Sequence, residues 1–270
     1  MIDVRPFNTL GGANHGWLNA KHHFSFANYY DPKRMGWGRL RVWNDDEIAA
    51  GSGFPPHPHA DMEIITYVRT GAITHEDSMG NKGRTGAGDV QVMSAGTGVR
   101  HAEFNMEDEL TTLFQIWIET DKPGAQPSWG QREFPKADRS GQFTVVASGD
   151  PADQALTINA DAKILAATLK AGESLTYDLA PGRRGASQCV HDRHQLFVQL
   201  DFGHCCTAVD EVVPRLAHGI GQASQLTLTR ITLALKLNLR CAGDAQLHLQ
   251  LGQSFRHDEF GFGVQQHSGC

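Results

Sequence analysis

The chain has 270 residues, with 24 lysine and arginine side chains against 30 aspartate and glutamate side chains, and a formal net charge of −6. This charge, without a basic run, argues against direct binding to nucleic acid phosphates. No apolar leader and no apolar stretch of membrane-spanning length is present, which predicts a cytoplasmic protein without membrane contact. The length favours two domains, the 40% of hydrophobic residues can support full cores, and plentiful glycine between short strand-like runs predicts an all-β fold.

The first elements along the chain are predicted from local composition. Residues 1–37 predict a loop-rich lead-in. It contains a polar and aromatic cluster, formed by His22, His23, Phe24 and Phe26. We interpret this cluster as a lid packed against the mouth of a barrel. Residues 38–43 alternate as a strand does, and residues 44–47, with the sequence NDDE, predict a turn.

Residues 51–103 contain two pairs of side chains that have the same spacing. His57 and His59 form the first pair, and His101 and Glu103 form the second, about forty residues later. On an extended backbone, residues two apart point to the same face. If the two strands are neighbours in a barrel, the four side chains converge on one point inside it.

This donor set predicts a metal site. Imidazole suits iron, copper, nickel, manganese and zinc, and a carboxylate adds a hard negative ligand. Three histidines and one carboxylate leave positions open on an octahedral ion for dioxygen or a chelating substrate. Gly96 and Gly98 allow a tight turn just before His101. The alternative, surface or satisfied core histidines, is less favoured because two such pairs occur together.

The rest of the first half predicts more strands and one turn. Strands are predicted at residues 63–68 and 72–75, around Val90, Val92 and Phe104, and at residues 110–118, the last of which would close a first barrel. A turn is predicted at residues 77–83. Asp77 is interpreted as a turn residue. His75 either supports that turn, the preferred interpretation, or is a fifth residue of the metal site.

The amino-acid sequence of these segments resembles that of a known protein family. The pattern G-x5-H-x-H-x3-E runs from Gly51 to Glu63, and Gly88 and His101 fit the second cupin motif in part, with Ser94 near its proline position. The runs GFPPHPHADMEIITYV, HEDSMGNKG and GDVQVMSAGTGVRHAEF resemble the pirin branch of the cupins. The resemblance extends from about residue 3 to about residue 185.

The resemblance implies a fold and a ligand set. The fold is two tandem cupin barrels, which are jelly-roll-like. Residues 1–130 would form an N-terminal barrel with the metal site, and residues 131–270 a C-terminal cupin-like barrel. By the family pattern the metal ligands are His57, His59, His101 and Glu103. Glu63, a ligand in other cupins, would instead support neighbouring side chains or serve the strand. The implied ion is Fe(II), with Mn, Ni, Cu and Zn as alternatives.

The resemblance also implies two classes of function. Some pirins act as quercetin 2,3-dioxygenases, which open the ring of a flavonol with O2. Glu103 would then be both a ligand and the catalytic base for the flavonol 3-hydroxyl. The alternative is a redox- or metal-sensing protein partner of transcription regulators or metabolic enzymes, and the negative charge favours a protein partner over DNA. A third class, a barrel that no longer binds metal, is least favoured by the intact donor set.

The second half continues the predicted architecture as far as residue 185. Residues 121–140 predict a linker, and residues 142–147 predict a strand. Residues 163–170 and 174–179 predict a strand pair across a short turn. The run AGESLTYDLAPGRRG resembles the second pirin barrel, and no H-x-H pair occurs there.

The chain changes character after about residue 185. All five cysteines lie beyond this point, and no tryptophan or tyrosine does. Residues 226–239 and 247–251 alternate as strands do, which suits a divergent second barrel. A shift of the reading frame near Gly185 is the other account. The cysteines lack C-x-x-C spacing and are interpreted as reduced thiols; a metal site there is disfavoured.

Overall fold

The protein is described here by a computed structural model. It describes residues 5–134, 140–169, 174–180, 182–192, 194–202, 235–241 and 247–252. Within these ranges the chain forms strands, with short 3₁₀ helices at Phe7–Thr9 and Pro151–Asp153. The all-β prediction is therefore confirmed. None of the helices in this described part is long and apolar enough to cross a membrane.

The first half of the chain contains eleven strands within its described residues. They are β1 Gly11–Asn14, β2 Leu18–His22, β3 Leu40–Ile48, β4 Ser52–His59, β5 Met62–Thr70, β6 Ala72–Asp77, β7 Lys82–Gly86, β8 Val90–Ser94, β9 Val99–Asn105, β10 Thr111–Glu119 and β11 Ser128–Arg132. One sheet has the order β1-β2-β3-β10-β5-β8-β11, and a second has the order β4-β9-β6-β7.

The two sheets of the first half pack through apolar side chains. Ile73 of β6 lies in one cluster with Ile48 and Leu113 of the larger sheet. Val99 of β9 lies in another with Ile64 and Met93. Both clusters are buried, and burial of aliphatic side chains such as these is the main term that holds sheets together.

Three predictions for the first half are wrong in detail. Residues 44–47 are not a turn but the second half of β3. Their polar side chains continue the strand because they find buried partners, as when Asp45 accepts from Arg69 and from Gln188. The lead-in contains the paired strands β1 and β2. The linker at residues 121–140 contains β11, which pairs with β8, while residues 135–139 lie outside the described residues.

The second half contains eight described strands. They are β12 Thr144–Ser148, β13 Leu156–Thr157, β14 Ala162–Leu169, β15 Ser174–Leu179, β16 Arg184–Asp192, β17 His194–Phe202, β18 Leu235–Cys241 and β19 Leu247–Gly252. One sheet has the order β13-β12-β14-β17-β16, and the other has the order β15-β18-β19. Two sheets per half agree with the predicted pair of tandem barrels.

The predicted pairing of β14 with β15 is wrong. β14 pairs with β12 and β17, whereas β15 pairs with β18, so the two strands belong to different sheets. Short-range strand patterns cannot distinguish a hairpin from a crossover between sheets, which is the reason for the error. The predicted strand at residues 226–239 is described only over its last residues, as the start of β18, and residues 226–234 lie outside the described residues. The prediction at residues 247–251 is confirmed as β19.

The larger sheet of the first half packs on the second half. Ile65, Phe114 and Ile116 of the first half share one buried cluster with Ile158 and Ile164 of the second. The strands β3, β5 and β10 are consequently covered on both faces. Alternate residues of each strand face the other half of the chain, and the residues between them face the interior of the first barrel.

Candidate metal centre

The two histidine-bearing strands lie side by side, as their spacing predicts. β4 and β9 pair antiparallel, with His57 opposite His101 and Phe54 opposite Glu103. Gly53 permits this approach, because a Cβ atom there would overlap the carbonyl oxygen of Glu103. Gly96, with φ of 44°, lies in the turn before β9, and a Cβ atom there would overlap the Ala125 carbonyl oxygen.

Three of the four predicted ligands form one cluster. His57 Nε2 lies 3.1 Å from His101 Nε2. The ring of His59 lies 4.8 Å from that of His57 and 5.0 Å from that of His101. One ligand atom from each histidine falls within 4.8 Å of the others. The Trp117 ring meets the His59 ring edge-on at 4.9 Å and fixes its orientation.

Hydrogen bonds to the other ring nitrogens set the tautomers of these histidines. The Pro55 carbonyl oxygen, 2.8 Å from His57 Nδ1, can only accept, so Nδ1 carries the hydrogen and Nε2 keeps a lone pair. On β6, which pairs with β9, His75 Nε2 donates to Asp77 Oδ2 at 3.1 Å. His75 Nδ1 is then an acceptor for His101 Nδ1 at 3.4 Å, which leaves a lone pair on His101 Nε2.

With these tautomers two lone pairs face each other across 3.1 Å, an arrangement that a cation bound at this point would stabilise. A proton is a poor candidate. Burial, followed by the neighbouring charges of His57 and His75, lowers the pKa of His101 to about 3. Burial, followed by His101 and His57, lowers the pKa of His59 to about 4. Neutral imidazoles that share one buried point fit a divalent metal ion.

Glu103 lies beside this cluster and is held by three donors. Gln91 Nε2 and Thr66 Oγ1 donate to Glu103 Oε1 at 2.6 and 3.1 Å, and Gln115 Nε2 donates to Oε2 at 2.7 Å. Glu103 falls within 4.8 Å of His101 and His75, in a second group that shares His101 with the first. The structure thus brings the four predicted residues into two overlapping groups, with His101 at their junction.

The structure also gives the contacts of Glu63, Asp77 and His75, the other acidic and histidine residues considered in the sequence. Glu63 is a buried strand residue whose Oε2 accepts from Ser94 Oγ at 2.5 Å and from the Asn159 backbone N–H at 3.0 Å, so it links its own sheet to the second half of the chain. Asp77 is the last residue of β6, at the start of the predicted turn, and its Oδ1 accepts from the backbone N–H groups of Met79 and Asn81. His75 contacts both that turn residue and His101.

A cavity of about 360 Å³ opens beside the histidine cluster. Its lining includes the four predicted ligands, His57, His59, His101 and Glu103. The remaining lining is mostly apolar and aromatic, with Phe26, Leu18, Phe54, Ile64 and Trp117 among its members, together with His22, Asn44, Asp46 and Gln115. This size and composition suit a small aromatic molecule.

Sequence patterns missed the residues that surround the predicted ligands. Gln91, Thr66 and Gln115 hold Glu103, and each lies on a different strand from it. Asp46 was placed in a turn and instead lines the cavity. The signal that could have found it is alternation: Asn44 and Asp46 are two apart, as the histidines are, and so share one face of an extended strand.

Family models match both halves of the chain. Residues 3–118 match the model described as Pirin, and residues 145–232 match the model described as the quercetinase C-terminal cupin domain. These matches identify both barrels as cupin domains.

Named relatives agree with the family models. A Caulobacter vibrioides pirin-like protein is 68% identical over 187 residues, which are 68% of this chain and 80% of that protein. An Escherichia coli K12 protein named quercetin 2,3-dioxygenase is 47% identical over 191 residues, 70% of this chain and 81% of that protein. Among solved structures, the bacterial pirin YhhW from Escherichia coli in complex with nickel(II) is 38% identical, with a TM-score of 0.68, and the match covers 74% of this chain and 98% of that one.

Proposed function

Since the chain belongs to the pirin family of cupins, we propose that it is a metal-dependent dioxygenase that opens the ring of flavonols such as quercetin with O2. The observation that carries the proposal is the pair of facing lone pairs on His57 and His101 at the base of an aromatic-lined cavity. The relative named quercetin 2,3-dioxygenase supports the substrate class.

The proposed ligands are His57, His59, His101 and Glu103, and the proposed ion is Fe(II). Nickel is the first alternative because the Escherichia coli pirin was solved with it, and Mn, Cu and Zn follow. We assign this site to an N-terminal barrel of residues 1–130 and give residues 131–270 to the second barrel. When bound, the ion supplies a Lewis acid with open positions for oxygen ligands.

The chain's own side chains prepare the substrate. The apolar walls of the cavity, including Phe54 and Trp117, exclude water and hold a planar ring system. Gln91, Thr66 and Gln115 hold the Glu103 carboxylate in one orientation. In the proposed mechanism Glu103 takes the proton from the flavonol 3-hydroxyl, so that the O–H bond breaks and the proton is transferred to a carboxylate oxygen.

Oxygen uptake tests the proposal directly. Purified protein loaded with Fe(II), or with Ni(II), is mixed with quercetin in an oxygen electrode, and luteolin, which lacks the 3-hydroxyl, is the matched control. We expect oxygen consumption with quercetin and none with luteolin. Absence of consumption with quercetin for every metal tried would contradict the proposal and favour a metal-sensing protein that acts through a protein partner.

A further inference from the structure

One wall of the cavity carries two buried polar atoms that the fold does not use. Asp46 and His22 are each 2% exposed. Within the described part of the chain, Asp46 Oδ1 and His22 Nε2 have no hydrogen-bond partner. Both residues line the cavity beside the histidine cluster. Buried polar atoms nearly always have a hydrogen-bond partner in folded proteins. Two unpaired atoms in one cavity therefore indicate a hydrogen-bond partner from outside the chain.

The strand register places the two residues together. β2 and β3 pair antiparallel, with His22 opposite Asn44 and Ala20 opposite Asp46. Alternation along β3 puts Asn44 and Asp46 on the same face, toward the cavity. The pair therefore forms one polar patch, which we call the His22–Asp46 wall, surrounded by apolar side chains such as Ala20 and Phe26.

The neighbouring carboxylate, that of Asp45, indicates that the fold supplies hydrogen-bond partners to a buried acidic side chain that has a structural role. Asp45 is also buried, but it accepts from Gln188 at 2.9 Å and pairs with Arg69. A residue that leaves a polar atom unpaired costs folding free energy that an apolar residue of similar size would not. The unpaired atoms of the His22–Asp46 wall, which line the cavity, are therefore available to a bound ligand.

The chemistry of the wall defines the group it would bind. Asn44 Oδ1 accepts from His22 Nδ1 at 2.9 Å, which leaves His22 Nε2 as an acceptor. Burial lowers the pKa of His22, which keeps the imidazole neutral. Burial, followed by the charges of Asp45 and Glu103, raises the pKa of Asp46 well above its usual range, which favours a neutral carboxyl that donates and accepts. Hydroxyl groups complement both partners, because a hydroxyl also donates and accepts.

We propose that His22 and Asp46 are specificity-determining residues that bind ring hydroxyl groups of a polyhydroxylated planar ligand. The inference rests on the proposed function and deepens it, because it states which members of the flavonol class the cavity takes. The chelating edge of the ligand lies at the histidine cluster. The His22–Asp46 wall forms hydrogen bonds with hydroxyl groups elsewhere on the rings. A flavonol without those hydroxyls leaves both buried atoms unpaired in the complex.

The test compares two ligands on four proteins. Dissociation constants of quercetin and of 3-hydroxyflavone, which keeps the chelating pair but no other hydroxyl, are measured without oxygen on Ni(II)-loaded wild type, Asp46→Leu, His22→Phe and Glu47→Gln. Glu47 is the matched control: it follows Asp46 on β3 and accepts from Asn19 at 2.7 Å instead of lining the cavity. Comparing this ratio between each variant and the wild type cancels the difference in hydrophobicity between the two ligands and any difference in metal content between the proteins.

We expect the wild type to prefer quercetin. In Asp46→Leu and in His22→Phe that preference falls about 10-fold or more, while Glu47→Gln keeps it. Asp46→Leu should also melt at a higher temperature than the wild type, so a loss of fold is distinguished from a loss of selectivity. Equal binding of both ligands by the wild type, binding of neither, or an unchanged ratio in both variants would overturn the inference. A selective wild type that consumes no oxygen would instead refute the proposed dioxygenase and leave the inference standing.

Discussion

The two faces of the seven-stranded sheet place the neighbouring buried carboxylates of Asp45 and Asp46 in different surroundings. On the face toward the second half of the chain, β10 places Phe114 and Ile116 in a continuous apolar cluster, and the buried Asp45 is fully engaged by Arg69 and Gln188. On the face toward the barrel interior, the same strands present Gln115 and Asp46. The buried carboxylate of Asp45 has partners within the chain, whereas the polar side chains of the interior face converge on a cavity.

This comparison identifies which substitutions should affect chemistry and which should affect stability. Substitutions on the interior face, or on the strands β4 and β9 that pack over it, should change metal content, ligand binding or turnover. Their effects on folding should be modest. Substitutions on the outer face, which is the face toward the second half of the chain, should lower the free energy of unfolding and leave the metal site unaltered. The predictions that follow are ordered from the largest expected effect to the smallest.

Glu103→Gln separates the ligand role of this residue from its role as a base. Glutamine keeps the shape and one acceptor oxygen but cannot take a proton. At saturating metal we expect turnover of quercetin to fall by about 10²–10⁴-fold, the usual cost of a lost general base. The measurement pairs oxygen uptake with metal content of the same sample. A fully loaded and fully active variant would exclude the base role.

Ile116→Ala tests the outer face. Ile116 is fully buried in the cluster that joins the two halves. Loss of its side chain should lower the free energy of unfolding by about 2–5 kcal/mol, which is typical for truncation of a buried isoleucine. Urea unfolding gives this value, and metal analysis of the folded variant should still find a full equivalent. Loss of metal in the folded variant would mean that the two faces are coupled.

His75→Phe tests the orientation of His101. Phenylalanine can still stack on Trp129, whose ring lies 4.8 Å from that of His75 and 9° from parallel, but it removes the acceptor for His101 Nδ1. Residues that orient a metal ligand typically contribute 10–100-fold to metal affinity, so we expect a loss of about that size. Competition with a chelating dye measures it.

The control for this experiment is Asp77→Asn. It keeps an acceptor for the backbone of Met79 and Asn81, so the turn is preserved. The amide replaces the carboxylate that sets the His75 tautomer, and metal affinity should fall by a smaller factor. Unchanged affinity in both variants would mean that His75 supports only the turn.

Acid should destabilise the metal-free protein in a defined range of pH. Burial is the first cause that lowers the pKa of His23 to about 4, as it is for His59. The unfolded chain therefore binds protons at higher pH than the folded chain, and stability falls as the pH drops from about 6.5 toward 4. His23→Gln should flatten part of this slope in urea titrations at successive pH values. A slope identical to that of the wild type would contradict the assignment.

The convergence of the proposed ligands was predictable because it depends on local periodicity. An i, i+2 pair on a strand fixes the direction of both side chains, and two such pairs on adjacent strands meet by necessity. Residues 44–47 were mispredicted for the opposite reason. Their composition is that of a turn, and the partner that makes Asp45 acceptable in a buried strand, Gln188, lies 143 residues away in the sequence.

Long-range pairing also limited what could be predicted for the second half. β15 finds its partner in β18, and no local pattern distinguishes this from a hairpin with β14. That pairing is what a divergent second barrel requires. The choice between a divergent barrel and a shifted reading frame stays a prediction to be tested by limited proteolysis, with cuts expected after Gly185 in the second case.

The central claim is the proposal that His57 and His101 are ligands of a divalent metal ion. Its most direct test is the metal content of purified wild type, His57→Ala and His101→Ala, measured by mass spectrometry of the dialysed proteins. We expect about one equivalent of a divalent metal in the wild type and little in either variant, because each loses one of the proposed ligands. A full equivalent of metal in either variant would contradict the account.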